Sequence, residues 1–412
     1  MERVILHCDM NGFYASVEGL EHPELKEKPY AVCGDPNSRR GIILAKNEIA
    51  KEYGIKTAET IWQAKRKCPG LVLLSAHHDK YAYYSKLAND IYRQYTDRVE
   101  PCSIDESWLD VTQSQGLFGN GKEIADTLRT RMKQELGLSI SVGVSFNKIF
   151  AKMGSDYKKP DATTVITKEN FQKLLYPLPV SDMISIGHSA AEKLKAAGIE
   201  TIGQLAAGDV TYIKRILGKA GETVYAFANG DDPREVALVD EKRKIKSVGN
   251  SMTFRRNLTH LEELRSGVVF LSDTVAGRLR ENRKKCWTVQ VTLRDPEFRD
   301  RSKQKKLTHA TNLEEDIANE AMTLVQALWK PGNAVRLIAV TAAQLQEETQ
   351  AQQLTFWEDT EGKQREKREK LERTIDSLRS RYGKQIVRFG SSVGNDLVEK
   401  TTQRPEMEDK TD

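Results

Sequence analysis

A chain of 412 residues, 39% hydrophobic and 30% charged, has room for two to four domains and the composition of an ordinary water-soluble protein. Its net charge of +5 is modest, so the distribution of charge carries more information than the total. No apolar run reaches membrane-spanning length and the first residues lead straight into a strand-like segment, so neither a membrane anchor nor a signal peptide is expected.

Five scattered cysteines, Cys8, Cys33, Cys68, Cys102 and Cys286, form no C-x-x-C pair. They read as reduced thiols of a cytoplasmic protein, not as a zinc site or a disulfide frame.

Val4 to Cys8 read as a buried strand, Asp9 closes it, and a helical pattern follows from about Phe13. Further strands are expected at Tyr30–Cys33, Ile42–Ala45, Leu71–Leu74, Ser107–Val111, Ser139–Val144 and Thr164–Ile166. Helical patterns lie between them, the longest over residues 79–98. His77-His78-Asp79 has metal-ligand residue types but reads as the opening of that helix. No G-x-G-x-x-G follows the first strand, which disfavours a dinucleotide-binding domain.

The segment Pro101-Cys102-Ser103-Ile104-Asp105-Glu106-Ser107-Trp108-Leu109-Asp110-Val111 interrupts a strand pattern with two adjacent acids. Asp105 and Glu106 can be read as solvated residues of a hairpin tip. Buried, they would repel each other and need a counter-charge, which a divalent cation supplies; hard carboxylate oxygens suit Mg²⁺. Joined by Asp9 from a neighbouring strand, they could hold two Mg²⁺ ions about 3.5–4 Å apart, an arrangement for phosphoryl or nucleotidyl transfer.

Asp9-Met10-Asn11-Gly12-Phe13-Tyr14-Ala15-Ser16-Val17-Glu18, together with Ser103-Ile104-Asp105-Glu106, resembles the Y-family translesion DNA polymerases, nearest to the bacterial DNA polymerase IV-like branch. The likeness runs from residue 1 to about 345, with a tail that also fits. It implies an α+β multidomain, right-hand polymerase. Residues 1–166 would be the palm, with small fingers inserted at about 20–75. Residues 167–232 would be the thumb, 233–245 a linker, 246–345 a βαββαβ little finger, and 346–412 the tail.

The resemblance makes Asp9, Asp105 and Glu106 the catalytic metal ligands, with the Met10 carbonyl as a further one. Phe13 and Tyr14 would lie at the nucleotide. Tyr14, the second aromatic, would be the steric gate that excludes ribonucleotides, with Phe13 in the core. The family carries a tyrosine and, three residues on, an arginine against the triphosphate; here Glu48 and Lys51 stand there. Lys51 keeps a cation without the bidentate fork of arginine. Glu48 either faces away or is balanced by Lys46 and Lys51. Lys159, just before Pro160, would contact the triphosphate, although a Lys-Lys-Pro turn can equally be a solvated loop.

Residues 168–232 read as all-helical. Gly187, in Ile186-Gly187-His188-Ser189, resembles the turn of a helix-hairpin-helix, where a missing Cβ lets amides approach a DNA phosphate. The usual motif has two glycines and this one has a single glycine; a plain αα-hairpin is the other reading. Strands near Ser247–Phe254, Thr288–Arg294, Lys305–Thr311 and Arg336–Thr341 interleave with two helices. Between residues 241 and 310, eighteen Lys/Arg face eight Asp/Glu, a surplus of ten that exceeds the charge of the whole chain. That concentration fits phosphate-backbone binding; a solvated basic face is the plainer alternative. Arg283, Lys284, Lys285, Lys303 and Lys305 are the expected DNA contacts.

Residues 344–353 are rich in glutamine and glutamate and read as disordered. Gln353, Leu354, Phe356 and Trp357 follow, a peptide resembling the one that docks on the bacterial sliding clamp. Residues 363–382 carry apolar spacing at Leu371, Ile375, Leu378 and Tyr382 and read as an amphipathic helix, packed weakly or used for contacts. The expected function is translesion DNA synthesis on primer–template DNA with deoxynucleoside triphosphates. It would proceed without proofreading, by a monomer, in a bacterial cytoplasm. A non-catalytic, polymerase-like DNA-binding accessory protein is the alternative, disfavoured because all three acids are present. A nucleotidyl cyclase is disfavoured by the basic region and the clamp-like peptide.

Overall fold

The structure, a computed structural model, describes residues 2–34, 41–241, 244–349, 359–383 and 386–387. The chain divides into two compact units, residues 1–242 and 243–412. Among the described residues no helix is long and apolar enough to cross a membrane.

The first unit opens with β1 (Ile5–Met10), α1 (Phe13–Glu21), β2 (Tyr30–Cys33), β3 (Ile43–Lys46), α2 (Glu48–Glu52), α3 (Ile61–Lys67), β4 (Val72–Ser75) and α4 (His78–Tyr92). It continues through β5 (Val99–Pro101), β6 (Glu106–Asp110), α5 (Gln115–Phe118), α6 (Gly121–Arg131), β7 (Ile140–Ser145), α7 (Lys148–Tyr157) and β8 (Thr163–Ile166). Helices α8 (Phe171–Leu175), α9 (His188–Ala196), α10 (Ile202–Ala207), α11 (Val210–Leu217) and α12 (Ala220–Ala228) complete it.

Five strands form a sheet in the order β5-β6-β1-β7-β8, antiparallel except for the β7–β8 pair. β1 lies at its centre and is buried throughout, as its apolar run requires. Alternation splits its side chains. Leu6, Cys8 and Met10 join the core with Tyr81, Tyr92, Ile124 and Leu128. His7 and Asp9 point the other way, toward α7, where His7 Nδ1 meets Ser155 Oγ at 2.8 Å. α7 can sit this low because β7 carries Gly143 beneath it. A Cβ there would lie 1.8 Å from the Ala151 carbonyl oxygen.

A smaller sheet, β3-β2-β4, closes over Ala31, Cys33, Ile43, Ala50, Ile55, Ala64 and Cys68. The helices from α8 to α12 bury Leu175, Leu194, Ile202, Leu205, Ile213 and Val224 among themselves. Strand β5 was not anticipated from the sequence, and α4 ends at Tyr92 rather than near residue 98. Its start does fall at His78, as a helix-opening reading of His77-His78-Asp79 requires.

The second unit runs β9 (Ser247–Leu258), α13 (Leu261–Glu281), β10 (Lys284–Arg294), β11 (Asp300–Thr311), α14 (Glu314–Leu328), β12 (Val335–Glu347) and α15 (Asp359–Tyr382). This is the expected βαββαβ order, folded as an antiparallel sheet β11-β10-β12-β9. Val289, Val291, Ile338, Val340 and Ala342 pack on Val268, Leu271, Val275, Ile317 and Val325 of the two helices. The other sheet face presents Ser247, Ser251, Thr253, Gln290, Thr292 and Thr341.

One expectation fails here. Residues 344–347, read as disordered, extend β12, where 345–347 pair with Lys284–Cys286 of β10. Helix α15 forms where the apolar spacing puts a helix, and its apolar positions pack only weakly. Leu371 is 60% and Tyr382 67% exposed, and the helix docks through ion pairs instead. Arg280 Nε meets Asp376 Oδ2 at 2.6 Å, Lys285 Nζ meets Glu369 Oε1 at 2.7 Å, and Arg379 Nη1 meets Asp273 Oδ1 at 2.8 Å.

Candidate active site

Asp9 is the penultimate residue of β1, and antiparallel register sets it opposite Glu106, the first residue of β6. β5 and β6 turn through residues 102–105, where the Cys102 and Ser103 amides both donate to the Glu106 carbonyl at 2.9 and 3.3 Å. The Met10 amide donates to the Asp105 carbonyl at 3.1 Å, and Ser103 Oγ lies 2.6 Å from Asp105 Oδ1. Asp9 and the Asp105-Glu106 pair, almost a hundred residues apart in sequence, therefore lie at one end of the sheet. Like charges directly opposite on paired strands are destabilising.

Positive charge comes from α7 and the turn after it. Lys152 Nζ lies 2.7 Å from Glu106 Oε1. Lys159 Nζ lies 2.7 Å from Asp9 Oδ2 and 2.6 Å from Asp156 Oδ1. Burial pushes the Asp9 carboxyl up from its ordinary value; Lys159 opposes this and Glu106 adds to it. Burial works the same way on Glu106, but its hydrogen bonds with Lys152 and Asp9 win and hold it low. The donor set is three hard carboxylates with the Met10 backbone at hand, a set suited to Mg²⁺. Lys159 and Lys152 balance the charge of Asp9 and Glu106.

Burial, with Lys152 nearby, lowers His7 to about 3, so its ring is neutral. Ser155 Oγ donates to the Lys152 carbonyl at 2.8 Å, so it must accept from His7 Nδ1–H. The unprotonated His7 Nε2 is left facing Cys102 and Glu106.

Phe13 is buried and Tyr14 is partly exposed. Tyr14 stacks on Tyr81 with ring centroids 4.0 Å apart and planes 12° from parallel. Tyr81 Oη donates to the buried Glu18 at 2.5 Å, and His77 Nδ1 approaches the same Glu18 oxygen at 2.9 Å. Gly12 precedes this helix with φ 53°, and a Cβ there would press to 3.2 Å on the Lys46 carbonyl, so the turn after Asp9 and Met10 needs glycine. On α2, Lys51 Nζ pairs with Glu48 Oε2 at 3.1 Å: Glu48 is balanced by its own helix neighbour, and both stay half exposed.

Gly187 is the N-cap of α9, with no side-chain cap and open space around its Cα. In the second unit Lys284 pairs with Glu347 and Lys285 with Glu369. Lys303 and Lys305 lie opposite Val291 and Val289, hence on the helix side of the edge strand, and Lys305 Nζ reaches Glu320 Oε2 at 2.9 Å. Arg283 precedes β10 with φ 52°. Gln353, Leu354, Phe356 and Trp357 lie outside the described residues.

Sequence reasoning missed Lys152, Tyr81, Glu18 and His7. The signal for Lys152 was available: Lys148 and Lys152 stand one helical turn apart in a helix otherwise almost wholly buried.

Residues 8–156 match the impB/mucB/samB family, residues 245–356 its C-terminal domain, and residues 168–199 the family's HHH motif. The chain is 46% identical to DNA polymerase IV of Acetivibrio thermocellus over 390 residues, 95% of this chain and 97% of that one. It is 37% identical to DNA polymerase IV 1 of Bacillus subtilis, over 95% and 93% of the two chains. Among solved structures it resembles a Y-family DNA polymerase chimera with a TM-score of 0.73 at 24% identity, over 84% of this chain and 99% of that one. DinB from Sulfolobus solfataricus gives a TM-score of 0.56 at 24% identity, over 82% and 98%.

Proposed function

Since the chain belongs to the impB/mucB/samB family and is a DNA polymerase IV-like, Y-family polymerase that copies damaged templates, we propose that Asp9, Asp105 and Glu106 carry its nucleotidyl transfer. The observation that supports this most is the Asp9–Glu106 cross-strand pair with Asp105 beside it. The three carboxylates, with the Met10 carbonyl, would hold two Mg²⁺. Bound there, such ions make a primer 3′-hydroxyl more acidic and neutralise charge on a leaving pyrophosphate.

The chain's own residues do the rest. Lys159 and Lys51 neutralise the triphosphate, the former already at the acids and the latter in exchange for Glu48. Tyr14, held against Tyr81, occupies the space a 2′-hydroxyl would need. Residues 1–166 act as palm with fingers at about 20–75, residues 167–232 as thumb, and 246–345 as little finger. Duplex phosphates are met by the open amides at Gly187 and by the basic strands carrying Arg283, Lys284, Lys285, Lys303 and Lys305. Clamp docking through Gln353, Leu354, Phe356 and Trp357 is supported by the residue pattern alone, as are a monomeric state and a cytoplasmic location.

Primer extension with Mg²⁺ and four deoxynucleotides, on undamaged and abasic templates, tests the assignment. The unaltered chain should extend both and Asp105→Ala/Glu106→Ala neither, while still binding primer–template DNA. Extension by the double variant would remove Asp105 and Glu106 from the mechanism.

A further inference from the structure

Beside the catalytic acids stands a second donor set of different chemistry. Cys102 Sγ lies 3.8 Å from His7 Nε2 and 3.5 Å from Glu106 Oε2, and His7 Nε2 lies 3.9 Å from that same oxygen. A tetrahedral zinc ion with bonds of about 2.0–2.3 Å spaces its nitrogen, sulfur and oxygen ligands roughly 3.4–3.6 Å apart. The trio needs adjustments of only tenths of an ångström to take one. From these distances and the donor types we propose that His7, Cys102 and Glu106 form a zinc site whose occupation withdraws Glu106 from the polymerase metals and slows synthesis.

Three further features fit. His7 Nδ1–H is committed to Ser155, so Nε2 offers its lone pair to the cluster. Cys102 is the one free cysteine of five that is not buried, and Glu106 is also partly exposed, so an ion has a way in. Lys152 holds Glu106 Oε1 and leaves Oε2 to the metal. On binding, a zinc–sulfur bond forms, the thiol proton leaves to solvent, and thiolate and carboxylate balance the doubly charged ion. The mixed nitrogen and sulfur donors favour zinc over Mg²⁺. The inhibitory consequence rests on Glu106 being a catalytic ligand; the binding does not.

The test uses the full chain. In Mg²⁺-free buffer, Co²⁺ as a probe should give a cysteinate-to-cobalt charge-transfer band that Cys102→Ala abolishes, and zinc should displace the cobalt. Zinc affinity should fall at least about tenfold in the variant. In Mg²⁺-supported primer extension, zinc should inhibit the unaltered chain, and Cys102→Ala, scored against its own zinc-free rate, should tolerate at least about tenfold more. Cys102→Ser, which keeps the side-chain size, replaces Ala if circular dichroism shows a disturbed fold. Zinc seated on Asp9, Asp105 and Glu106 alone would be indifferent to Cys102, so equal zinc sensitivity or an unchanged cobalt spectrum overturns the site. Glu106→Gln separates the two failures. If it extends primers normally, the catalytic assignment is wrong; if it is dead and zinc binds the unaltered chain without slowing it, the competition is wrong.

Discussion

Lys159 Nζ stands 2.7 Å from Asp9 Oδ2, two side chains 150 residues apart in sequence. The sequence reading placed Lys159 at the triphosphate. An ammonium held at Asp9 is also beside any anion that approaches Asp9, so one position serves both roles. Lys159→Ala should raise KM for the incoming deoxynucleotide. It should lower kcat/KM about 10–100-fold, the effect of a hydrogen bond to a charged group worth about 1.5–3 kcal/mol. Steady-state single-nucleotide kinetics measure this. An unchanged KM would confine Lys159 to balancing Asp9.

Sugar discrimination should depend on what stands behind Tyr14 as well as on Tyr14. The ring is backed by Tyr81, which is fixed by the buried Glu18. Tyr14→Ala should cut the preference for deoxyribonucleotides about 10–200-fold, the range typical of steric selection in a pocket. Tyr81→Leu should move it the same way by a smaller factor, because it leaves the gate in place but loosens it. Competition between dGTP and GTP on one template reads both. A gate that stays selective in Tyr81→Leu would show that Tyr14 needs no backing.

The acids were legible because two motifs carried them: Asp9 closes an apolar strand, and Asp105-Glu106 breaks another. The βαββαβ order was legible because period-two and period-3.6 patterns alternate cleanly there. What stayed hidden is long-range. The spacing of Lys148 and Lys152 marks a cation on a buried helix, but which acid Lys152 or Lys159 will face depends on Gly143 letting α7 settle onto the sheet. The ion pairs that dock α15 stayed hidden for a related reason. Leu371, Ile375, Leu378 and Tyr382 gave the helix and its weak packing, but not that its partners are charged: Arg280, Lys285 and Asp273.

One of those charged contacts should show in the pH dependence of stability. Burial pushes Glu314 up to about 8 from an ordinary 4.5, with Glu372, Asp273 and Glu315 adding to it and Arg280 opposing. Below about pH 4.5 folded and unfolded chains both hold the proton. Between about 4.5 and 8 only the folded chain holds it, so stability falls as pH rises, and above about 8 the loss is complete. Glu314→Gln should flatten this decline and raise Tm at pH 8 by on the order of 2–4 °C for each kcal/mol recovered. Thermal melts of both proteins from pH 5 to 8.5 check it; parallel curves would refute it.

The same cluster decides how α15 is held. Arg280 is almost completely buried, and its guanidinium binds Asp376, Glu372 and the Asn312 carbonyl. The outer pair, Arg368 with Glu315, is about half exposed on both sides and contributes little. High salt screens exposed pairs far more than buried ones. The helix should therefore stay docked in 1 M NaCl, with trypsin slow to cut at its many arginines. Arg280→Ala should behave differently at any ionic strength. It leaves Glu372 and Asp376 facing Glu314 and Asp273 without their counter-charge, a loss of about 3–5 kcal/mol for a broken buried pair. Tryptic cleavage within residues 365–381 should rise sharply, while residues 247–347, whose apolar core does not involve α15, remain resistant. Salt-induced cleavage of the unaltered chain would mean that the exposed pairs, not Arg280, carry the docking.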